Sequence, residues 1–308
     1  MSISNPTLRE RASYGWRVMG RAAGVVSARL RRPRAAGNGT AASVPFNAMF
    51  DTRVVPALEP ERAELEQFDL YLFDVMTSRR LRGQIVFEYG TLLRAIDRWT
   101  GLRILDVGTG RSTFPTWMSG RGAAVTTFDL SQPAEKSWGG FEERVNGLVG
   151  RRGSRMSAVA GSMRCLPFAV ASFDLVTSLS VVEHLDTNLP ERTFVPYEEQ
   201  QRRLAEVLDE MIRVTKPGGW IYVTSECCDY SRATTDNWRG AYYYEDGPAL
   251  SAAWPVADVP RLFYQYVVDR GCTLVGDAEY SRADIGHEHR WTCRGPYFSG
   301  FSMLARKR

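Results

Sequence analysis

Apolar positions along residues 102–129 come in two rhythms. Ile104, Leu105 and Val107 form a short run broken only by Asp106, as in a strand buried on both faces. Phe114, Trp117 and Met118 then recur at the three- and four-residue steps of a helix. The alternation continues to the C-terminus and predicts strands near 102–107, 123–129, 157–160, 173–179, 219–225, 272–279 and 297–306. Helices are predicted near 112–120, 134–148, 198–214 and 258–270. In the longest of these, Leu204, Val207, Leu208, Met211 and Ile212 line one face before Pro217, Gly218 and Gly219 stop it. Strands separated by helices imply an α/β domain with a mostly parallel sheet. The last two strands have no helix between them and should pair antiparallel.

Upstream, the pattern is purely helical. Leu65, Phe68, Leu72 and Phe73 mark one segment, and Ile85, Tyr89, Leu92, Leu93 and Ile96 the next. Residues 46–100 therefore read as a helical cover for the domain at 101–308. Before them, Leu8, Ala12, Trp16, Met19, Ala23, Val26 and Leu30 fall within an arc of roughly 80° on a helix, with the arginines outside it. Such a basic stripe suits peripheral contact with an anionic membrane or docking on a partner; a solvated tail and a transit peptide are the alternatives. Gly15, Gly20 and Gly24 weaken a helix there, and Pro33 to Pro45 reads as a linker, so residues 1–45 form a separate tail.

Composition and charge narrow the picture. The chain has 308 residues, 44% of them hydrophobic, which is enough to bury a full core. Its net charge of +4 is uneven: residues 1–40 carry eight arginines against one acid, leaving about −3 for the remainder. A body with no basic excess is poorly equipped to hold a nucleic-acid backbone. The five cysteines are odd in number and irregularly spaced, which suits neither a disulfide framework nor a paired zinc motif and points to a reducing, cytoplasmic setting. No apolar run approaches the ~20 residues of a membrane span.

The chemistry concentrates where strands end. Asp106 and Val107 open into Gly108, Thr109 and Gly110, a turn whose glycines let backbone approach a ligand. Asp129 closes the next strand, placed to grip ribose hydroxyls or, alternatively, to cap a helix. A dinucleotide dehydrogenase would show the same pair of acids.

Four stretches in order, I-L-D-V-G-T-G, T-T-F-D-L, L-P-F-A-V-A-S-F-D-L-V-T-S-L-S-V-V-E-H-L and V-L-D-E-M-I-R-V-T-K-P-G-G-W-I-Y-V-T, resemble the class I S-adenosylmethionine-dependent methyltransferases, especially the small-molecule, ubiquinone-biosynthesis-like group. The resemblance implies a Rossmann-like, seven-stranded, mostly parallel sheet with an antiparallel last strand and helices on both faces. It implies S-adenosylmethionine as cofactor, with Asp106, Gly108, Thr109 and Gly110 around the methionine part, Asp129 at the ribose and Leu130 beside it in the cofactor site. Ser162 and Met163 follow at the adenine, and Ser178 and Leu179 face the cofactor. Ser112 replaces a frequent third glycine, and Ser162 a common aspartate, which changes how adenine is read.

In-line methyl transfer needs alignment more than a dedicated side chain. If the acceptor is a hydroxyl, His184 just past the fourth strand is the candidate base; otherwise Glu183 and His184 merely begin a helix. His287 and His289, between the last two strands, and Tyr243, in an aromatic stretch after the fifth, are candidates for the acceptor pocket. With Cys293 the two histidines make an incomplete zinc set, so no metal is expected. The expected acceptor is a small molecule, lipid-linked intermediate or glycan, methylated on oxygen. A non-catalytic methyltransferase-like module and a nicotinamide-dependent oxidoreductase are the rival readings, the second lacking a tyrosine–lysine pairing.

Overall fold

The computed structural model describes residues 44–50, 52–67, 83–110, 112, 114–130, 155–188, 193–228, 241–244, 247–250, 254–276, 278–279 and 298–308. The N-terminal stripe at 7–32 and the helix expected near 134–148 lie outside them. Strand β1 (Asn47–Met49) is followed by helices α1 (Glu59–Gln67) and α2 (Gly83–Ala95). The alternating part runs β2 (Arg103–Val107), α3 (Phe114–Gly120), β3 (Ala124–Asp129), β4 (Arg155–Ala160), β5 (Phe173–Leu179), α4 (Tyr197–Val214) and β6 (Thr215–Cys228). A π-helix (Pro260–Gln265) leads into α5 (Tyr266–Asp269), then β7 (Cys272–Leu274) and β8 (Phe298–Lys307).

The main sheet has the order β4-β3-β2-β5-β6-β8, with β1 and β7 both pairing β8. Strands β2 to β6 are parallel, and β8 runs antiparallel between β6 and β7, as expected for the closing pair. All seven expected strands are present. Two-residue strands at Trp254–Pro255 and Ala278–Glu279 add to the edges, and β1 adds a further one.

Side chains alternate between two apolar layers. Leu105, Val107, Val176, Ile221, Val223, Phe301 and Met303 pack on one face with α4 and Phe263. Ile104, Val125, Leu175, Tyr222 and Leu304 pack on the other with α2 and α3. Burial on both faces is why β2 reads from Ile104 to Val107 as an apolar run broken only by Asp106. Helix α4 buries the five predicted positions, while its partly buried Arg203 and Arg213 pair with Glu199 and Glu210. It stops at Val214, as expected, and the strand that follows begins earlier than expected because Thr215 is already extended and pairs with Phe173. No helix among the described residues is long and apolar enough to cross a membrane.

Residues 47–49 were expected in a helical segment, yet they extend the sheet. The reason is local to Asn47, which is fully buried. Its amide donates to the Val275 carbonyl at 2.8 Å and its oxygen accepts the Leu304 N–H at 2.7 Å. The side chain thus bridges β1, the end of β7 and β8, substituting for backbone pairs that two short strands on one edge cannot make. Asn47→Ala leaves a buried donor and a buried acceptor unmade. Urea denaturation should show a loss of about 2–4 kcal/mol, and a loss under about 0.5 kcal/mol would mean the amide is only a filler.

Candidate functional site

The parallel strands β2, β3 and β5 bring their carboxyl ends to one edge, and the glycine turn sits in the middle of it. The N–H groups of Gly108 and Thr109 both donate to the Phe128 carbonyl, at 2.7 and 3.3 Å, which binds the turn to β3. Gly108 has φ +75°, and a Cβ there would fall 2.3 Å from Val181 Cγ1. Gly110, at φ +53°, donates its N–H to Asp129 Oδ2 at 2.8 Å. The acid expected at the ribose therefore also holds the turn in shape.

Beneath the turn, Asp106 is 3% exposed and accepts from Thr177 Oγ1 at 2.6 Å. Thr109 Oγ1 donates back to the Asp106 carbonyl at 3.0 Å. Burial pushes the Asp106 carboxyl up to about 6, against the lowering effect of the Thr177 and Thr109 hydrogen bonds, with the nearby Asp129 charge adding to the rise. Asp106 thus underpins the site from inside the sheet.

At the end of β5, Ser178 is fully buried, and its hydroxyl has no hydrogen-bond partner among the described residues. It lies in register with Val223 and alternates with Thr177, so it turns to the opposite face from Asp106. Leu179 is also buried. The residue that leaves the sheet is Ser180, a non-glycine at φ +52°. Its N–H donates to the Thr224 carbonyl and hydroxyl at 3.0 and 3.1 Å, and its Oγ donates to Glu88 Oε2 at 3.0 Å.

The 3-10 turn Val182–Asp186 then separates two neighbours that the sequence presents together. Glu183 is buried and accepts from Ser225 Oγ at 2.7 Å, whereas His184 is exposed. Burial first, and then the charge of Glu226, hold the Glu183 carboxyl well above the carboxylate range.

At the other end of the edge, Leu130 is 60% exposed beside half-buried Asp129, an unusual setting for a large apolar side chain next to a ligand-type acid. Ser162 is exposed and its Oγ accepts the Arg164 N–H at 3.3 Å, while Met163 packs partly against the core. The Gly161 N–H donates to the Asp129 carbonyl at 2.8 Å, joining this segment to β3. The structure therefore gathers Asp106, Gly108, Thr109, Gly110, Asp129, Leu130, Ser162 and Met163 around one edge. Tyr243 stands in a separate hairpin, Ala241–Tyr244 with Gly247–Leu250, opposite Pro248. His287 and His289 lie outside the described residues.

Glu88 and Thr177 were not singled out from sequence in any role of their own, whereas Ser180 was expected at the end of the fourth strand with Ser178 and Leu179. Glu88 did leave a signal, being the one charged residue in I-V-F-E-Y-G-T-L-L. Thr177 left none, since a small hydroxyl residue fits any strand.

Residues 105–223 match the family described as Methyltransferase domain. That match supports a methyl donor over a nicotinamide cofactor, without reaching the narrower ubiquinone-biosynthesis-like group. A comparison with curated proteins found no match. Among solved structures, the chain is similar to a SAM-dependent methyltransferase from Methanosarcina mazei, at 15% identity and TM-score 0.50, over 70% of this chain and 96% of that one. It is also similar to an S-adenosylmethionine dependent methyltransferase from Mesorhizobium loti, at 16% identity and TM-score 0.42, over 71% and 97%. A third is the 1,6-didemethyltoxoflavin-N1-methyltransferase of Burkholderia thailandensis, with its substrate and S-adenosylhomocysteine bound, at 18% identity and TM-score 0.40, over 68% and 72%. The first of these likenesses shows the fold.

Two expected outcomes follow from the packing and the buried acid. Gly108→Ala combines backbone strain with a steric clash, and should cost about 2–4 kcal/mol in denaturant unfolding. Adding Val181→Ala should recover part of that loss; a Gly108→Ala chain as stable as the parent would mean that the turn has room to move.

Glu183 retains its proton in the folded state where the unfolded chain has lost it, between its ordinary value of 4.5 and about 8. In that window the native state binds more protons, so this group's contribution to stability declines as pH rises. Glu183→Gln keeps an acceptor for Ser225 and removes the titration. Thermal unfolding should find the variant more stable than the parent near pH 8 and little changed near pH 5, and a difference independent of pH would refute this.

Proposed function

We propose that this chain, whose residues 105–223 match the family described as Methyltransferase domain, is a class I S-adenosylmethionine-dependent enzyme that methylates a hydroxyl oxygen of a small-molecule, lipid-linked or glycan acceptor. The observation that carries the reading is the Gly110 N–H bound to Asp129, with Gly108 left no room for a side chain. This construction keeps bare backbone and a carboxylate together at the sheet edge, the combination that a nucleoside with a charged tail requires.

Asp106, Gly108, Thr109 and Gly110 would hold the methionine part, and Asp129 the ribose. Exposed Leu130 offers an apolar surface to the adenine ring, flanked by Met163 and the Ser162 hydroxyl. Ser178 and Leu179 support the edge from within. When bound, the cofactor supplies a methyl group on a sulfonium, activated for displacement. What the chain contributes is alignment of the acceptor oxygen and exclusion of water. For an oxygen acceptor a proton must also leave, and the exposed His184 at the rim is suited to receive it. The deficit of positive charge beyond residue 40 argues against nucleic acid as acceptor. The basic stripe at 7–32 favours peripheral contact with an anionic membrane, where a lipid-linked acceptor would be within reach.

The test is a titration with S-adenosylmethionine, followed by transfer of its labelled methyl group into a cell extract. The parent chain should bind, Asp129→Ala should bind at least about tenfold more weakly, and label should appear in a small-molecule or lipid fraction. Label confined to nucleic acid would overturn the acceptor class. Absence of binding would leave a non-catalytic module of the same fold.

A further inference from the structure

We propose that Glu88, carried on α2 outside the matched residues, binds the α-ammonium group of the cofactor's methionine part. This rests on the cofactor reading above and adds to it a residue from a different segment of the chain.

The case begins with how α2 is held. The Tyr222 hydroxyl donates to the Glu88 carbonyl at 2.6 Å, which fixes this turn of helix to β6. The ring of the next residue, Tyr89, packs edge-on against Phe114, four positions beyond Gly110, at 4.7 Å. The backbone at 88–89 is therefore tied on one side to β6 and on the other to the segment that follows the glycine turn.

The side chain spans the space between those two ties. Its Oε2 accepts from Ser180 at 3.0 Å, and the residue after Ser180, Val181, is the one that lies against Gly108. The Glu88 carboxylate thus stands near where the end of β5 meets the glycine turn. On the cofactor reading above, that turn surrounds the methionine part.

Chemistry then selects the group. Glu88 is 2% exposed, and a carboxylate withdrawn from water gains most from a cation that can also donate hydrogen bonds. Of the two cationic centres in S-adenosylmethionine, the sulfonium has no N–H or O–H, whereas the α-ammonium has three donors. The hydroxyl bond from Ser180 orients one carboxylate oxygen in the meantime.

The experiment compares three nucleosides by calorimetry on the full chain. S-Adenosylhomocysteine keeps the ammonium but has a neutral sulfur, and 5′-methylthioadenosine lacks the amino-acid part altogether. Glu88→Gln should weaken S-adenosylhomocysteine and S-adenosylmethionine by the same factor, about tenfold or more, and leave 5′-methylthioadenosine within about twofold. Weakening of S-adenosylmethionine alone would assign the carboxylate to the sulfonium and overturn the proposal. Equal weakening of all three, or of none, would reduce Glu88 to a structural role and overturn it as well. If Glu88→Gln does not fold, Glu88→Asp, which draws the charge back by one methylene, is read by the same pattern. A parent chain that binds none of the three would instead refute the cofactor reading itself.

Discussion

Gly108 lies so close to Val181 that no side chain fits between them, and the arrangement of the whole sheet edge depends on this contact. It lets the chain leaving β2 pass against the chain leaving β5, so two parallel neighbours end in one compact turn and not in two separate loops. The turn then reaches β3 through the Phe128 carbonyl and Asp129. Three strand ends are joined by contacts at which Gly108 and Gly110 carry no side chain. A ligand with a sugar and a charged tail can approach such a surface more closely than any surface lined with Cβ atoms.

The same edge concentrates buried acids. Asp106, Glu88 and Glu183 are each 3% exposed or less, and each accepts a hydrogen bond from a hydroxyl on a neighbouring strand end: Thr177, Ser180 and Ser225. Burying carboxyls is costly unless each is hydrogen-bonded, and here each has a hydroxyl partner. The hydroxyls moderate the cost without cancelling it, as the upward displacement of Asp106 and Glu183 shows. Ser180 stores a smaller strain in its left-handed backbone, held by two bonds from its N–H to Thr224.

The far edge of the sheet faces a different constraint. Strand β8 runs for ten residues, while its partners β1 and β7 have three each. Much of an otherwise bare edge is covered by laying these two short strands end to end and bridging them with the Asn47 amide. The segment before the alternating domain is consequently part of its sheet, and α2 is tied to β6 through the Glu88 carbonyl.

Much of this was legible in the residues themselves. The strand and helix rhythm from 102 onward, the antiparallel closing pair, the glycine turn and the acids at 106 and 129 all follow from local patterns. Periodicity, turn chemistry and strand-end acids are properties of contiguous residues, so they survive without the fold. Three matters had no local signature. Asn47 reads as a polar residue in a loop until its partners 228 and 257 positions away are in place. Glu183 and His184 are adjacent and equally plausible as sequence, and only the turn at 182–186 decides which is buried. Glu88 meets the end of β5 through Tyr222 and Ser180, which lie 134 and 92 residues later. Sequence alone determined the sheet, the turn and the kind of ligand that fits them; the tertiary structure decided which distant side chains complete the site, because burial and hydrogen bonding between segments exist only once the chain has closed on itself.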